Sequence, residues 1–224
     1  LLRPIDWGLT ETSRVFIVLP YVADAITLEG ALADALTSAG RFTRVGLLRD
    51  VLLPLARTMA WVHRQGVVHR DLKPSNVLIR ADGHHFVIDF GLSDRRGVDW
   101  IPDQGPKPLA PPNGGTPTAM SPEQAQGATR VDPRLDVYSL GVILYQLLAG
   151  RPPHTGTRDE VLARLRHGVA PAPPPELQPP GLAAIAMAAL SSSPDARQAD
   201  AGVLATQLIA WLDKHERVAQ AGAL

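Results

Sequence analysis

Two short stretches of this sequence carry the side chains best suited to chemistry. Residues 69–76 read His-Arg-Asp-Leu-Lys-Pro-Ser-Asn, and residues 89–91 read Asp-Phe-Gly. Asp71 can accept a proton from a hydroxyl, whereas Asn76 and Asp89 offer hard oxygen ligands of the kind that Mg2+ prefers. Because phosphoryl transfer depends mainly on positioning and on neutralising charge, these residues predict phosphoryl-transfer chemistry.

A predicted β-hairpin connects the two stretches. Residues 77–79 and 86–88 are apolar and strand-like, and residues 81–83, Ala-Asp-Gly, supply the turn between them. Asn76 then precedes one strand and Asp89 follows its partner, so both side chains come to the same end of the hairpin. We therefore expect them to share one metal ion.

Helices are predicted along most of the remaining chain, from apolar residues spaced three or four apart. Residues 44–65 form the longest predicted helix, which Pro54 bends and Gly66 ends. Residues 1–9 and 14–19 are short apolar runs that predict a hairpin. The other predicted helices span residues 28–36, 136–148, 158–167, 182–190 and 201–212.

The order of these motifs resembles that of the protein kinase family, in particular its serine/threonine branch in the form found in bacteria. Gly115-Thr116-Pro117, Ser121-Pro122-Glu123 and Pro194-Asp195-Ala196-Arg197 extend the resemblance beyond the first two stretches. It implies an α+β fold with a mainly α-helical large lobe and a remnant of the β-rich small lobe. Residues 1–22 match the last strands of the small lobe and the hinge, and residues 23–224 match the large lobe.

The resemblance also implies a function and a site. The expected reaction transfers the γ-phosphoryl group of ATP to serine or threonine hydroxyls of protein substrates. Asp71 would orient the hydroxyl and take its proton, Lys73 would steady the transferring phosphate, and Thr116 would support both. Asn76 and Asp89 would hold Mg2+. The residues implied to bind the nucleotide and its metal are Leu19, Pro20, Val22, Leu78, Lys73, Asn76 and Asp89.

Other matches imply supporting roles. Asp136 resembles a buried aspartate that accepts hydrogen bonds from the backbone of the catalytic loop, and Arg197 is expected to pair with Glu123. His69 and Phe90 match packing residues. Residues 89–123 match the activation segment, and residues 95–115 contain no serine or threonine. We therefore expect less dependence on a phosphate in the middle of this segment than in most relatives.

Composition excludes several other classes. Lys+Arg and Asp+Glu each number 22, so net charge gives no reason to expect binding to nucleic acid. The absence of cysteine excludes disulfides and thiolate chemistry. The histidines lack the spacing typical of zinc sites, and no apolar run reaches the length of a membrane span. The sequence favours a cytoplasmic location.

Several small-lobe features of the family are missing. No lysine precedes Lys73, and the early glycines never approach Gly-x-Gly-x-x-Gly spacing. One explanation is that the chain is truncated and that these features lie upstream; the alternative is a pseudokinase that acts as a protein-binding scaffold. The intact set Asp71, Lys73, Asn76 and Asp89 favours truncation. We expect the piece alone to bind ATP weakly and to turn it over negligibly.

Overall fold

Helices form most of the structure, which is a computed structural model that describes residues 5–11, 15–37, 40–90, 93–95 and 116–221. The helices are α1 (Leu28–Asp34), α2 (Arg44–Leu47), α3 (Leu53–Arg64), α4 (Pro122–Ala125), α5 (Arg134–Ala149), α6 (Arg158–Arg166), α7 (Leu182–Ala189) and α8 (Ala201–Ala221). The strands are β1 (Asp6–Leu9), β2 (Val15–Val18), β3 (Ile26–Thr27), β4 (Val67–Val68), β5 (Val77–Ile79), β6 (His85–Val87) and β7 (Asp94–Arg95). Each predicted helix and both predicted hairpins are present, most with ends that differ by one to three residues, but α8 extends nine residues beyond its predicted end at Leu212.

Helix α5 lies at the centre of the helical part. Almost every residue from Leu135 to Leu148 is buried, including the large side chains of Tyr138 and Tyr145. A helix that is apolar around its whole circumference is stable only when other elements cover all of its faces. The core that covers it also contains Leu55 of α3 and Leu208 of α8. The helical core therefore encloses the segment that carries Asp136.

The long predicted helix is divided into three parts. Residues Leu48–Leu52 form a π-helical turn between α2 and α3, and the N–H of Leu53 bonds to the carbonyl of Leu48. Pro54 follows immediately and has no N–H to donate to the preceding turn. The wider turn accommodates the proline without ending the helix. Gly66, with a φ of 77°, lies just beyond the C-terminal end of α3.

The strands form three small antiparallel sheets. Strand β1 pairs with β2, β4 pairs with β7, and β5 lies between β3 and β6. In the β5–β6 hairpin Val77 is opposite Val87, and the N–H of Ile88 bonds to the carbonyl of Asn76 at 3.0 Å. Asn76 and Asp89 therefore flank the same end of this hairpin, as predicted. Most of the predicted activation segment, residues 91–92 and 96–115, lies outside the described residues.

Candidate active site

Lys73 joins two of the predicted catalytic residues. Its Nζ lies 2.8 Å from Asp71 Oδ2 and 2.9 Å from Thr116 Oγ1. Thr116 begins a 3-10 turn over Pro117–Ala119, and Ser139 of α5 donates a hydrogen bond to the carbonyl at the end of that turn. Helix α5 thereby fixes the turn, which holds the Thr116 hydroxyl within reach of the lysine.

The two oxygens of the Asp71 carboxylate have different surroundings. Oδ2 accepts the hydrogen bond from Lys73 and a longer one, 3.5 Å, from Asn76 Nδ2. Oδ1 accepts no hydrogen bond from any residue in the described part of the chain. The side chain is largely buried, with 8% of the residue exposed. Lys73 and Asn76 thus orient the carboxylate and leave one oxygen able to accept a proton.

Asp136 holds the backbone just before Asp71. Its carboxylate accepts hydrogen bonds from the N–H of His69 at 2.8 Å and of Arg70 at 2.9 Å, and from His63 Nε2 at 2.9 Å. Burial by itself raises the pKa of Asp136, but the bond and charge of His63 and the contacts of His69 outweigh it, so the pKa lies below its ordinary value. The predicted role of Asp136 is confirmed.

His69 links the predicted catalytic loop, residues 69–76, to the start of the Asp-Phe-Gly stretch. Its Nε2 lies 3.0 Å from the carbonyl of Ile88, and its Nδ1 accepts a 3.3 Å hydrogen bond from the N–H of Asp71. A carbonyl can only accept and a backbone N–H can only donate, so His69 is the neutral tautomer with its proton on Nε2. The ring also packs on Phe90 at 4.4 Å between centroids, as predicted.

Asn76 and Asp89 provide a donor set that fits a magnesium ion. The Nδ2 of Asn76 donates to the carbonyl of Asp71 at 2.9 Å, which leaves Oδ1 as the atom able to face a cation. Asp89, which has a φ of 62°, lies two residues beyond the end of β6 and is exposed. Within the described residues no group of three or more histidines or carboxylates could hold a metal. A metal here would therefore need oxygen atoms from a bound phosphate as well.

Residues 6–198 match the family model described as the protein kinase domain. The chain belongs to the protein kinase family. It is similar to the probable serine/threonine-protein kinase PknB of Bifidobacterium longum, with 32% identity over 210 residues. It is also similar to the serine/threonine-protein kinase PknB of Mycobacterium tuberculosis, with 33% identity over 219 residues.

These relatives place the kinase in the bacterial serine/threonine branch and confirm that resemblance. Each match covers 91% of this chain. The chain in turn spans 29% of the length of the Bifidobacterium protein and 32% of the Mycobacterium protein. A third relative, the serine/threonine-protein kinases drp72 of Corynebacterium efficiens, is 40% identical over 63% of this chain and a quarter of its own length.

The other residues predicted to bind the nucleotide lie in the segment before β3 and in β5. Leu19 is exposed, and Pro20 and Val22 are half-buried in the segment that leads to β3. Strand β3 pairs with β5, where half-buried Leu78 lies opposite Thr27. The predicted hinge thus leads to β3, which pairs with the strand that carries Leu78.

The predicted pair of Arg197 and Glu123 is confirmed. The guanidinium binds the carboxylate with two hydrogen bonds, of 2.6 and 2.7 Å, and its side chain is completely buried. It also donates to the carbonyls of Ser191 and Arg134. Arg197 therefore fastens α4, at the end of the predicted activation segment, to α5 and to the loop after α7.

Two buried polar residues of the site are not evident from the kinase motifs. His63 lies on the inner face of α3, where the sequence predicts only a stripe of core residues. Gln124 in α4 donates from Nε2 to the carbonyl of Arg70 at 2.8 Å. The spacing Ser121-x-x-Gln124 is a signal for a capping box, and this box is present. No sequence signal indicates the bond to the catalytic loop.

A cavity of about 410 Å3 lies at the other end of the β5–β6 hairpin, next to its turn. Its walls include Phe42, Leu47, Val51, Ile79 and Arg80. None of the predicted site residues lines it.

In the described part of the chain no helix is long and apolar enough to cross a membrane.

Proposed function

We propose that this chain supplies the catalytic lobe of a kinase that transfers the γ-phosphoryl group of ATP to serine or threonine hydroxyls of proteins. Residues 23–224 form the large lobe in this proposal, and residues 1–22 form the hinge and the last strands of the small lobe. A cytoplasmic location belongs to the proposal because the reaction consumes ATP.

The hydrogen bonding around Lys73 is the observation that carries this proposal. Asp71 Oδ1 is the oxygen proposed to accept the proton of the substrate hydroxyl, since Oδ2 is already engaged. The Lys73 ammonium lies between Asp71 and Thr116 and can stabilise the negative charge of a phosphoryl group. Asn76 Oδ1 and Asp89 are the proposed ligands of Mg2+, which would supply further charge neutralisation when bound.

The first experiment replaces the proposed base. In the natural protein that contains these residues, Asp71→Asn preserves the size of the side chain but removes the proton acceptor. Turnover of a serine peptide is expected to fall about 100- to 10,000-fold, the usual contribution of a general base. Asp82→Asn is the matched control, because Asp82 lies in the β5–β6 turn at the opposite end of the hairpin. Equal activity of Asp71→Asn and wild type would refute the role of Asp71.

The scaffold alternative gives a different pattern. If the wild-type protein phosphorylates no substrate, and Asp71→Asn leaves its biological activity intact, the pseudokinase function is supported. For the 224-residue chain by itself we expect weak ATP binding and negligible turnover, because no lysine precedes Lys73 to hold the inner phosphates. Robust magnesium-dependent phosphorylation by this chain alone would contradict that expectation.

A further inference from the structure

The peptide group between Arg70 and Asp71 is held by the side chains of Gln124 and His69, and Asp136 holds the N–H just before it. Arg70 has a φ of 70°, a conformation that is unfavourable for a residue with a side chain. Its N–H donates to Asp136 on α5, and its carbonyl accepts a 2.8 Å hydrogen bond from Gln124 on α4. The N–H of Asp71 donates to His69 Nδ1. Both polar atoms of this peptide group are therefore satisfied by side chains.

The orientation of the Gln124 amide follows from its partners. Its Oε1 accepts hydrogen bonds from the N–H and the hydroxyl of Ser121, both at 3.1 Å. The backbone N–H of Ser121 can only donate and the carbonyl of Arg70 can only accept, so the amide oxygen faces Ser121 and the NH2 faces Arg70. Only a side chain with a donor and an acceptor on the same terminal group satisfies both. Gln124 is 4% exposed, so water does not substitute readily for either bond.

We propose that Gln124 is a positioning residue that fixes the Arg70–Asp71 peptide group, and with it the direction of the Asp71 carboxylate. This inference rests on the proposed role of Asp71 as the base. Through Gln124 the end of the activation segment, at Ser121, is connected directly to the residue before the base. The orientation of Asp71 therefore depends on whether Ser121 and α4 are in place.

The attachment of α4 does not itself require the Gln124 NH2 group. Glu123 and Arg197 hold this helix with two hydrogen bonds. The Ser121 hydroxyl caps its first turn, and the Gln124 oxygen completes the capping box. Removing only the donor of Gln124 is therefore expected to release the Arg70 carbonyl while α4 stays folded. This separation makes a positioning role distinguishable from a structural one.

Gln124→Glu makes the required change. A glutamate at this position still accepts the hydrogen bonds from Ser121, as in the common form of the capping box, but it directs an oxygen at the Arg70 carbonyl. In the natural protein we expect kcat for a serine peptide to fall about tenfold or more, with KM for ATP changed less than about twofold. Gln124→Met, which removes the donor and also the capping acceptor but adds no charge, is expected to lower kcat similarly.

Gln126→Glu is the matched control. Gln126 lies two residues along the chain and also donates from Nε2 to a backbone carbonyl, but it is exposed and its partner is Arg166 on α6. We expect its kcat to equal that of wild type. An equal effect of Gln124→Glu and Gln126→Glu on kcat would overturn the proposal.

A second measurement needs no turnover. In the 224-residue chain, Gln124→Glu and Gln124→Met should each accelerate hydrogen exchange of the Asp71 amide, measured by NMR, at least tenfold, with amides of α5 unchanged. If exchange accelerates uniformly in α5 as well, Gln124 has only a structural role and the proposal fails. If the natural protein has no kinase activity but the Asp71 amide responds as expected, the positioning role stands and the proposed function fails.

Discussion

A single carboxylate, that of Asp136, organises the backbone on which the proposed catalytic residues depend. It is completely buried and accepts from two backbone N–H groups and from His63. In Asp136→Asn the side-chain NH2 must face one of these donors, so a hydrogen bond is replaced by a repulsive contact. We expect a loss of about 3 kcal/mol in the free energy of unfolding, measured by urea denaturation at pH 7.

The same substitution should change the response to acid. Because the pKa of Asp136 is lowered in the folded protein, its ionisation stabilises the fold fully above the unfolded pKa of about 4, and this contribution disappears as pH falls through the folded pKa. The asparagine variant should therefore lose less stability than wild type on acidification. Asp195→Asn is the control, because Asp195 is 90% exposed in its pair with Arg134, and about 1 kcal/mol or less is expected. If Asp136→Asn and Asp195→Asn lower the free energy of unfolding equally, the role of Asp136 is contradicted.

Residue-level predictions from sequence succeed where a motif specifies both the side chain and its neighbours. The hairpin after residues 69–76 is enough to predict that Asn76 and Asp89 flank the same end of it, and Thr116 is recognised by its place in a motif. The bond from Gln124 to Arg70 could not be predicted, because it joins residues far apart in sequence and depends on which way an amide faces. The catalytic and binding roles of Asp71, Asn76, Asp89 and Thr116 remain predictions.

At the scale of elements, α5 and α7 pack closely against each other at Gly141. A Cβ added to Gly141 would lie 2.7 Å from Ala189 Cβ and 3.2 Å from its carbonyl carbon. Alanine favours a helix by about 1 kcal/mol over glycine, but backbone atoms of α7 cannot move aside without loss of packing. Gly141→Ala is therefore expected to lower the free energy of unfolding by about 1–3 kcal/mol in thermal or urea denaturation.

Gly30→Ala provides the comparison for Gly141→Ala. Gly30 is exposed in α1, and a Cβ there would meet only Thr27 Oγ1, at 3.7 Å. This variant should gain up to about 1 kcal/mol from helix propensity alone. The double variant Gly141→Ala with Ala189→Gly should recover part of the loss, because it removes one of the two colliding methyl groups. If Gly141→Ala is as stable as Gly30→Ala, α5 and α7 do not pack as closely at Gly141 as inferred.

Helix positions could be predicted from apolar periodicity, but an irregular turn inside a helix could not. Residues 44–65 show a continuous apolar stripe, and Leu48, Leu55 and Met59 are buried as that stripe predicts. The π-helical turn over Leu48–Leu52 could not be read from the stripe, because its apolar residues and the apolar residues on either side of it are nearly all buried and so hide the shift in helical phase that a wider turn introduces. Pro54 marks the place of the irregularity without specifying its form.

At the scale of the whole molecule, the described residues divide into a helical part with a large core and an exposed hairpin. None of the side chains described in β1 and β2 belongs to the core. Trp7 and Ile17 lie opposite each other in this hairpin, with 72% and 61% of their surfaces exposed. Large exposed apolar patches of this kind usually mark contact surfaces, which agrees with the proposal that residues 1–22 belong to a second lobe.

The hairpin should therefore contribute little to the stability of the 224-residue chain. A two-stranded sheet that packs on nothing is at best marginally stable in water, so amides of β1 and β2 should exchange with solvent orders of magnitude faster than those of α5 in hydrogen-exchange mass spectrometry.

Replacing both Trp7 and Ile17 by threonine, which favours strands, should reduce aggregation and shift the melting temperature of the helical part by less than about 2 °C. Leu140→Thr in the buried centre of α5 is the contrasting change, with an expected loss of several degrees. Two results would show instead that the hairpin is part of the core. One is protection of β1 and β2 equal to that of α5, and the other is a large loss of stability in the hairpin variant. Only packing against the helices could produce either result.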